Sequence, residues 1–253
     1  MTEGTTLVGT QVAEGIATIT LDSQHNRNAL SRRLVAELAD ALDVAESADA
    51  RAIVLRHEGP AFCAGADLKE RANDDGPLDS SPMVAVMRRL MDTPRPTIAS
   101  VEGAVRAGGI GLMASCDLVV VHTDVTFALT EVRIGVAAAI ISVPILRRVP
   151  PGKIAAAMLT GETFTATAAR EMGLVTHVTD DVGSTVAALC DGVRAGAPRA
   201  VAETKKLLGR VPTLDVDTAF AEMQALSDEL FRGADASEGM AAFRQKRRPV
   251  WPD

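Results

Sequence analysis

The chain has 253 residues, of which 47% are hydrophobic, and carries a net charge of −7. That length fits one large domain, or a domain with an appendage, around a sizeable core. The acidic balance argues against general nucleic-acid or anionic-membrane binding, and no apolar run approaches the ~20 residues that cross a bilayer.

Thr6 to Val12 and Gly15 to Leu21 flank a turn. In the second run Ala17, Ile19 and Leu21 alternate with Thr18 and Thr20, which predicts a hairpin with one buried face. Ser31 is placed to cap a helix bearing Leu34, Leu38, Leu42 and Ala45 on one stripe. Ala52 to Leu55 reads as a short buried strand running into a small-residue turn, Gly59 to Lys69. Arg71 to Pro82 is rich in Asp, Ser, Pro and Gly and reads as a mobile loop. A short helix with Val84, Met87 and Leu90 follows.

The stretch Val101 to Asp117 organises the rest. Thr97 to Val101 is a strand, Gly108, Gly109 and Gly111 fall within four positions, and an apolar run continues as a helix. Glycine suits a turn where backbone must press against a ligand. A helix opening there presents unpaired N–H groups to an anion, or to an oxygen that becomes negative during a reaction. No Gly-Lys-Ser/Thr follows, so this is not a phosphate loop, and the spacing is not a dinucleotide fingerprint. By itself such a turn is as readily a purely structural device.

Asp117 to His122 is the next buried strand, and Phe127 to Gly135 ends in another turn. Strand, Gly-bearing turn and helix thus recur three times, which suggests a layered or coiled ββα arrangement with its turns along one edge. Pro150-Pro151-Gly152 interrupts two helical stretches. Thr165 to Met172 reads as helix closed by Gly173, and Leu174 to Val178 as a strand. From Gly196 the chain becomes all-helical: Pro198–Gly209, Thr213–Arg232 and Asp235–Lys246. We divide it into a mixed α/β core, 1–195, and a helical tail, 196–253. Leu226, Leu230, Met240 and Phe243 give that tail apolar faces that must pack on its own core or on another subunit.

Cys63, Cys116 and Cys190 form no metal-ligand spacing and suit small core positions in a reducing compartment. The polar N-terminus lacks a signal-peptide core, so a cytoplasmic protein is expected. His25, His57, His122 and His177 are scattered, each a surface or packing residue, and no metal is implied.

Five segments, in order, resemble motifs of the crotonase superfamily, the enoyl-CoA hydratases and isomerases. Arg27-Asn28-Ala29-Leu30-Ser31 matches its early CoA-contact motif. Ala61-Phe62-Cys63-Ala64-Gly65-Ala66-Asp67-Leu68-Lys69-Glu70 matches its first oxyanion-hole motif, and Val101 to Asp117 the second. Phe127 to Gly135 matches the segment with a catalytic Glu, and Glu238 to Arg247 the C-terminal motif. The resemblance implies a spiral of ββα units followed by helices that build homotrimers, often paired into hexamers. It implies that the backbone N–H groups of Ala66 and Gly108 bind a thioester oxygen, and that the partner is an acyl-CoA, with coenzyme A entering as part of the substrate and no other cofactor. Ala29, Ala64, Asp67, Leu68 and Gly109 lie in the matching motifs, as do the cations Arg27, Lys69, Lys246 and Arg247. Each cation is read as a phosphate partner or a solvated charge. Phe243 and Lys246 fall where relatives reach a neighbouring subunit's ligand.

Hydratases of this family use two glutamates. The second position is Glu131; the first is Gly111. With Glu131 alone, shuttling one proton between two carbons of an enolate, an isomerisation, is favoured over adding water, which benefits from two groups. A hydratase with an altered site and an acyl-CoA-binding protein without turnover are the alternatives. Read from composition alone, Glu131 is rather a solvated turn residue or a partner for Arg133, and it is the family position that favours catalysis. Gly111 either relieves crowding where helix and strand pack closely or enlarges the acyl pocket. Arg106 is expected to play a structural role, paired with Glu102 or Asp117. Met83, Met87 and Leu90 line the pocket or fill core.

Overall fold

The computed structural model describes residues 6–72 and 79–251. The chain repeats a ββα unit. Strands β1 (Val8–Ala13) and β2 (Ile16–Leu21) precede helix α1 (Arg32–Ser47); β3 (Ala52–His57) and β4 (Ala61–Cys63) precede α2 (Leu68–Ala72) and α3 (Ser81–Asp92). β5 (Thr97–Val101) and β6 (Ala104–Arg106) precede α4 (Gly108–Ala114). β7 (Leu118–His122) and β8 (Thr126–Ala128) precede a 3-10 turn at Glu131–Ile134, α5 (Ala139–Leu146) and α6 (Pro151–Thr160). Then come β9 (Thr163–Thr165), α7 (Ala166–Met172), β10 (His177–Thr179), α8 (Val182–Ala195), α9 (Pro198–Arg210), α10 (Val216–Phe231) and α11 (Ala234–Gln245).

The two strands of each later unit join different sheets. One sheet runs β1-β2-β3-β5-β7-β10, the other β4-β6-β8-β9. Among the described residues only β1–β2 and β8–β9 pair antiparallel. The hairpin turns on Glu14 and Gly15, both at positive φ (49° and 73°), a backbone twist that matches the strands it joins. The large sheet is covered on both faces, as its apolar parallel strands require. On one face α8 lays Val182, Val186 and Cys190 over Ile16, Val54, Ile98 and Val120. On the other, Leu34, Leu38, Leu42 and Ala45 of α1, all fully buried, join the main core with Leu90, Ile110, Leu112 and Met113. Ser31 caps α1, its Oγ accepting from Leu34 N at 3.2 Å.

Some sequence expectations shift. The loop read across Arg71–Pro82 falls in part on residues 73–78, outside the described residues; Arg71 ends α2, and Ser81 and Pro82 open α3. On α3, Val84 is exposed and Val86 buried, because the buried stripe runs through Val86, Met87 and Leu90. Leu174 and Val175 are buried in a turn, Leu174 N donating to Ala169 O, and the strand is His177–Thr179. β9 and α8 were not anticipated. The three cysteines are buried and free, as small core residues. Among the described residues no helix is long and apolar enough to cross a membrane.

Among the described residues three α-helices follow Gly196, and the tail is tied to the core through Lys205 on α9 and through Trp251, whose Nε1 donates to Ala195 O at 3.0 Å. Lys205 Nζ on α9 reaches Asp117 Oδ2 at 2.8 Å, the two side chains being 7% and 23% exposed. It also donates to the Leu90 and Arg95 carbonyls, each at 3.0 Å. Asp117 accepts from Thr97 N and Oγ1 as well.

Candidate active site

Strands β4, β6 and β8 are parallel neighbours in the small sheet. Their C-terminal ends release three turns side by side: Ala64–Ala66, Ala107–Gly108 and Leu129–Glu131. With strands about 5 Å apart, the topology gathers both oxyanion-type turns and Glu131 on one sheet edge.

The first two turns touch. A Cβ added to Gly65 would meet Ala107 Cβ at 2.8 Å, and one added to Gly108 would lie 3.8 Å from Ala66 N. Gly65 also has φ +92°, a conformation that favours glycine. Ala107 sits at φ 47°, ψ −122°, strained backbone for a residue with a Cβ and of the kind that clusters at functional sites. Its N–H donates to Ala128 O at 2.9 Å, which locks the second turn to the strand leading to Glu131. Among the described residues no group accepts from the Ala66 or Gly108 N–H. Two unpartnered backbone donors on adjoining turns form a place for one oxygen that gains charge. Gly109 packs flush on Cys63, where a Cβ would come within 2.6 Å of Cys63 Cβ. Burial pushes that thiol up to about 12, so Cys63 is a packing group here and not a nucleophile.

The early motif supports the first turn from below. Leu30 N donates to Gly65 O at 2.7 Å, and Ala64 N to Arg27 O at 3.0 Å. Ala29 is buried, and Arg27, exposed, is left-handed at φ 57°. Asn28 was quoted in the motif but not singled out. It is fully buried at φ 55°, accepts from Ser23 N at 2.6 Å and donates to Glu58 O and Ala61 O. Its left-handed backbone and amide are the signal that could have marked it. Leu30 was also missed; its Cδ1 would lie 2.9 Å from a Gly108 Cβ.

Asp67 is committed to the protein. Its Oδ1 accepts from Lys69 N and Glu70 N, and its Oδ2 from Asn26 Nδ2; the Glu70 N–H, then the Asn26 amide, hold its carboxyl below the usual value. It shapes the turn rather than reaching for ligand. Glu70 in turn accepts from Arg32 N at 2.9 Å. Leu68 and Lys69 stand exposed on α2. The side chains of Arg27 and Lys69 have no hydrogen-bond or ionic partner among the described residues, which leaves both cations available to an anion.

Glu131 opens the 3-10 turn after β8. Its Oε2 is buried with no hydrogen-bond partner. Burial pushes the carboxyl above its ordinary value, against a smaller lowering from its own backbone N–H. Arg133 is not its partner; Arg133 Nε donates to Thr160 O at 3.0 Å. A partly desolvated, uncommitted carboxylate is suited to proton transfer.

Other expectations are corrected. Gly111 does not open space: a Cβ there would fall 2.5 Å from Ile141 Cβ, closer still to its Cγ2, and 2.8 Å from Met87 Cε. Gly111 is crowded by two helices, through Ile141 of α5 and Met87 of α3, and not by a strand; Ile141 had escaped notice. Arg106 pairs with neither Glu102 nor Asp117. It donates to the Val105 and Thr126 carbonyls and to Thr126 Oγ1 at 2.9 Å, staying structural. Leu90 is fully buried core and Met87 nearly so. His57 is buried, its Nε2 accepting from Glu102 N at 3.0 Å. Phe243, 85% exposed, and Lys246 lie at the end of the chain on and after α11. No hydrogen bond or ion pair within the described residues joins either to the three turns. No three His, Cys, Asp or Glu among the described residues gather as a metal set.

The chain is similar to known proteins in sequence and fold. Rat enoyl-CoA hydratase domain-containing protein 3, mitochondrial, is 34% identical over 254 residues, covering 97% of this chain and 84% of the relative. A crystal structure of a Mycobacterium smegmatis enoyl-CoA hydratase superposes with a TM-score of 0.89 at 32% identity, over 97% of this chain and 98% of that one. The human enoyl-CoA hydratase domain-containing protein 3 superposes at 0.90 with 29% identity, over 97% and 100%. The family model described as enoyl-CoA hydratase/isomerase matches residues 11–253, and the chain belongs to that family, within the crotonase superfamily.

Proposed function

We propose that the protein catalyses proton transfer on an enoyl-CoA thioester, moving a double bond from C3=C4 to C2=C3. The observation that carries this reading is Glu131: a half-buried carboxyl whose buried Oε2 has no partner, on the same sheet edge as two unpartnered backbone donors. The carboxylates near the first turn, Asp67 and Glu70, are held by the protein. Glu131 takes a proton from C2. The electron pair delocalises into a dienolate whose thioester oxygen is held by the Ala66 and Gly108 N–H groups. The Glu131 acid returns the proton to C4, and the double bond settles at C2=C3. Each oxyanion donor contributes roughly 3 kcal/mol of transition-state stabilisation.

Arg27 and Lys69 are assigned to the coenzyme A phosphates, with Ala29, Ala64, Leu68 and Gly109 as backbone and packing contacts. Phe243 and Lys246 are assigned to a neighbouring subunit's ligand. The tail from residue 196 then builds a homotrimer or a dimer of trimers. The apolar surface on α10 and α11, with Phe220 73%, Phe231 67% and Phe243 85% exposed, supports that assembly, since such surface is unfavourable in water. Three free thiols support a reducing compartment such as the cytoplasm.

The test is product identity. Trans-3-enoyl and trans-2-enoyl thioesters of several chain lengths are incubated with the protein and followed by mass and ultraviolet absorbance. Conversion of the 3-enoyl series without gain of water is expected. Rapid hydration of the 2-enoyl series would favour the hydratase alternative, and tight binding without conversion a carrier.

A further inference from the structure

Position 111 lies one helical turn beyond Gly108 on α4, so the two residues share a face. A side chain at 111 would therefore stand just below the oxyanion donor. The space for it is taken. Ile141, 6% exposed, and Met87, 4% exposed, close over Gly111 within overlap distance of any added Cβ. Ile141 begins the second residue pair of α5, ten positions after Glu131, so the segment that supplies the carboxylate also supplies this apolar wall. α4 and α5 pack directly on one another.

Hydration of a 2-enoyl thioester puts a hydroxyl on C3 and a hydrogen on C2. It needs a water seated beside C3 and a group to take that water's proton. An isoleucine and a methionine thioether offer neither. We propose that Ile141, seated with Met87 against Gly111, is a specificity-determining residue that keeps this face of the site free of water and of a second acid. This deepens the isomerase reading and rests on it for its functional half. Gly111 and Ile141 form a complementary pair: one gives up its side chain and the other fills the volume.

The experiment uses the full-length protein, Gly111→Glu, Ile141→Ala and the double variant, in melting curves and in assays with a trans-2-enoyl-CoA. Gly111→Glu alone should melt below the natural protein, because the new side chain overlaps Ile141. Ile141→Ala should lower the melting temperature of the natural protein but raise that of Gly111→Glu. The double variant should form 3-hydroxyacyl-CoA at least about tenfold faster than the natural protein, the low end of what a positioned acid–base group supplies. An equal loss of melting temperature from Ile141→Ala in both backgrounds would overturn the pairing. So would a double variant that melts cooperatively, binds the thioester by calorimetry and hydrates no faster. If the double variant does not fold, Gly111→Ala with Ile141→Val carries the same melting cycle, and additivity there overturns the proposal. Should the natural protein isomerise no 3-enoyl thioester, the isomerase reading falls while the melting reversal and the hydration gain still decide the part played by Ile141.

Discussion

Replacing Glu131 with Gln separates chemistry from folding. The amide keeps the shape of the carboxyl and cannot take a C2 proton. Positioned acid–base groups supply about 10²–10⁴-fold, so kcat should fall by at least about 10²-fold, equivalent to roughly 2.7 kcal/mol of barrier. Binding of the thioester should change little, because the oxyanion donors are backbone groups. Stability should move the other way. Burial raises the carboxyl's pKa, so the folded state disfavours the charged form. Stability from the neutral form is complete below the ordinary carboxylate value and is lost as pH rises through the higher folded value. Removing the charge should leave the melting temperature at pH 7 equal to or above that of the natural protein, with the difference shrinking at low pH. The same sign governs activity: the base must be ionised, so turnover should fall on acidification with a midpoint above 4.5. Steady-state kinetics, calorimetric titration and scanning calorimetry measure the three effects. A drop in turnover below about tenfold, or a variant that loses both activity and melting temperature, would refute the reasoning.

Three further outcomes follow from the structure. Lys205→Met leaves Asp117 largely buried without its cation and should cost about 3 kcal/mol, the lower end for breaking a buried pair, read by urea unfolding; an unchanged midpoint would show that α9 is not fastened there. Arg27→Ala with Lys69→Ala should weaken binding of a CoA thioester while leaving binding of the matching pantetheine thioester, which lacks the 3′-phosphate and diphosphate, unaltered. Light scattering at micromolar concentration should give three or six times the 26.5 kDa chain mass, and a stable monomer would remove the tail's assembly role.

Much of the fold was legible because its signals are local. The Leu34–Ala45 stripe, the Ser31 cap and the alternation in Ala17–Leu21 each depend on residues a few positions apart. The strand at His177–Thr179 was misplaced because Leu174 and Val175 are apolar for a turn's packing, not for a sheet. The three turns of the candidate site were visible as small-residue clusters expected along one edge, but the second sheet that sets them side by side, in the order β4-β6-β8, is carried by no local pattern. Ile141 was invisible for the same reason. Its importance lies in contact with a glycine thirty positions earlier, and an isoleucine in an apolar helix announces nothing. Asp67 misled in the opposite direction: a carboxylate in a binding motif turned out to be occupied by the turn it holds.

The central claim is that Glu131 forms and reprotonates an enolate of a CoA thioester. A trans-3-enoyl-CoA incubated in heavy water, with the label located by nuclear magnetic resonance, tests it most directly. The account predicts trans-2-enoyl product in which any incorporated deuterium is confined to C2 and C4, the carbons Glu131 serves, and neither product nor C2 exchange above background with Glu131→Gln. Product formation or C2 exchange that survives undiminished in Glu131→Gln, or no trans-2-enoyl product from natural protein saturated with the thioester, would contradict it.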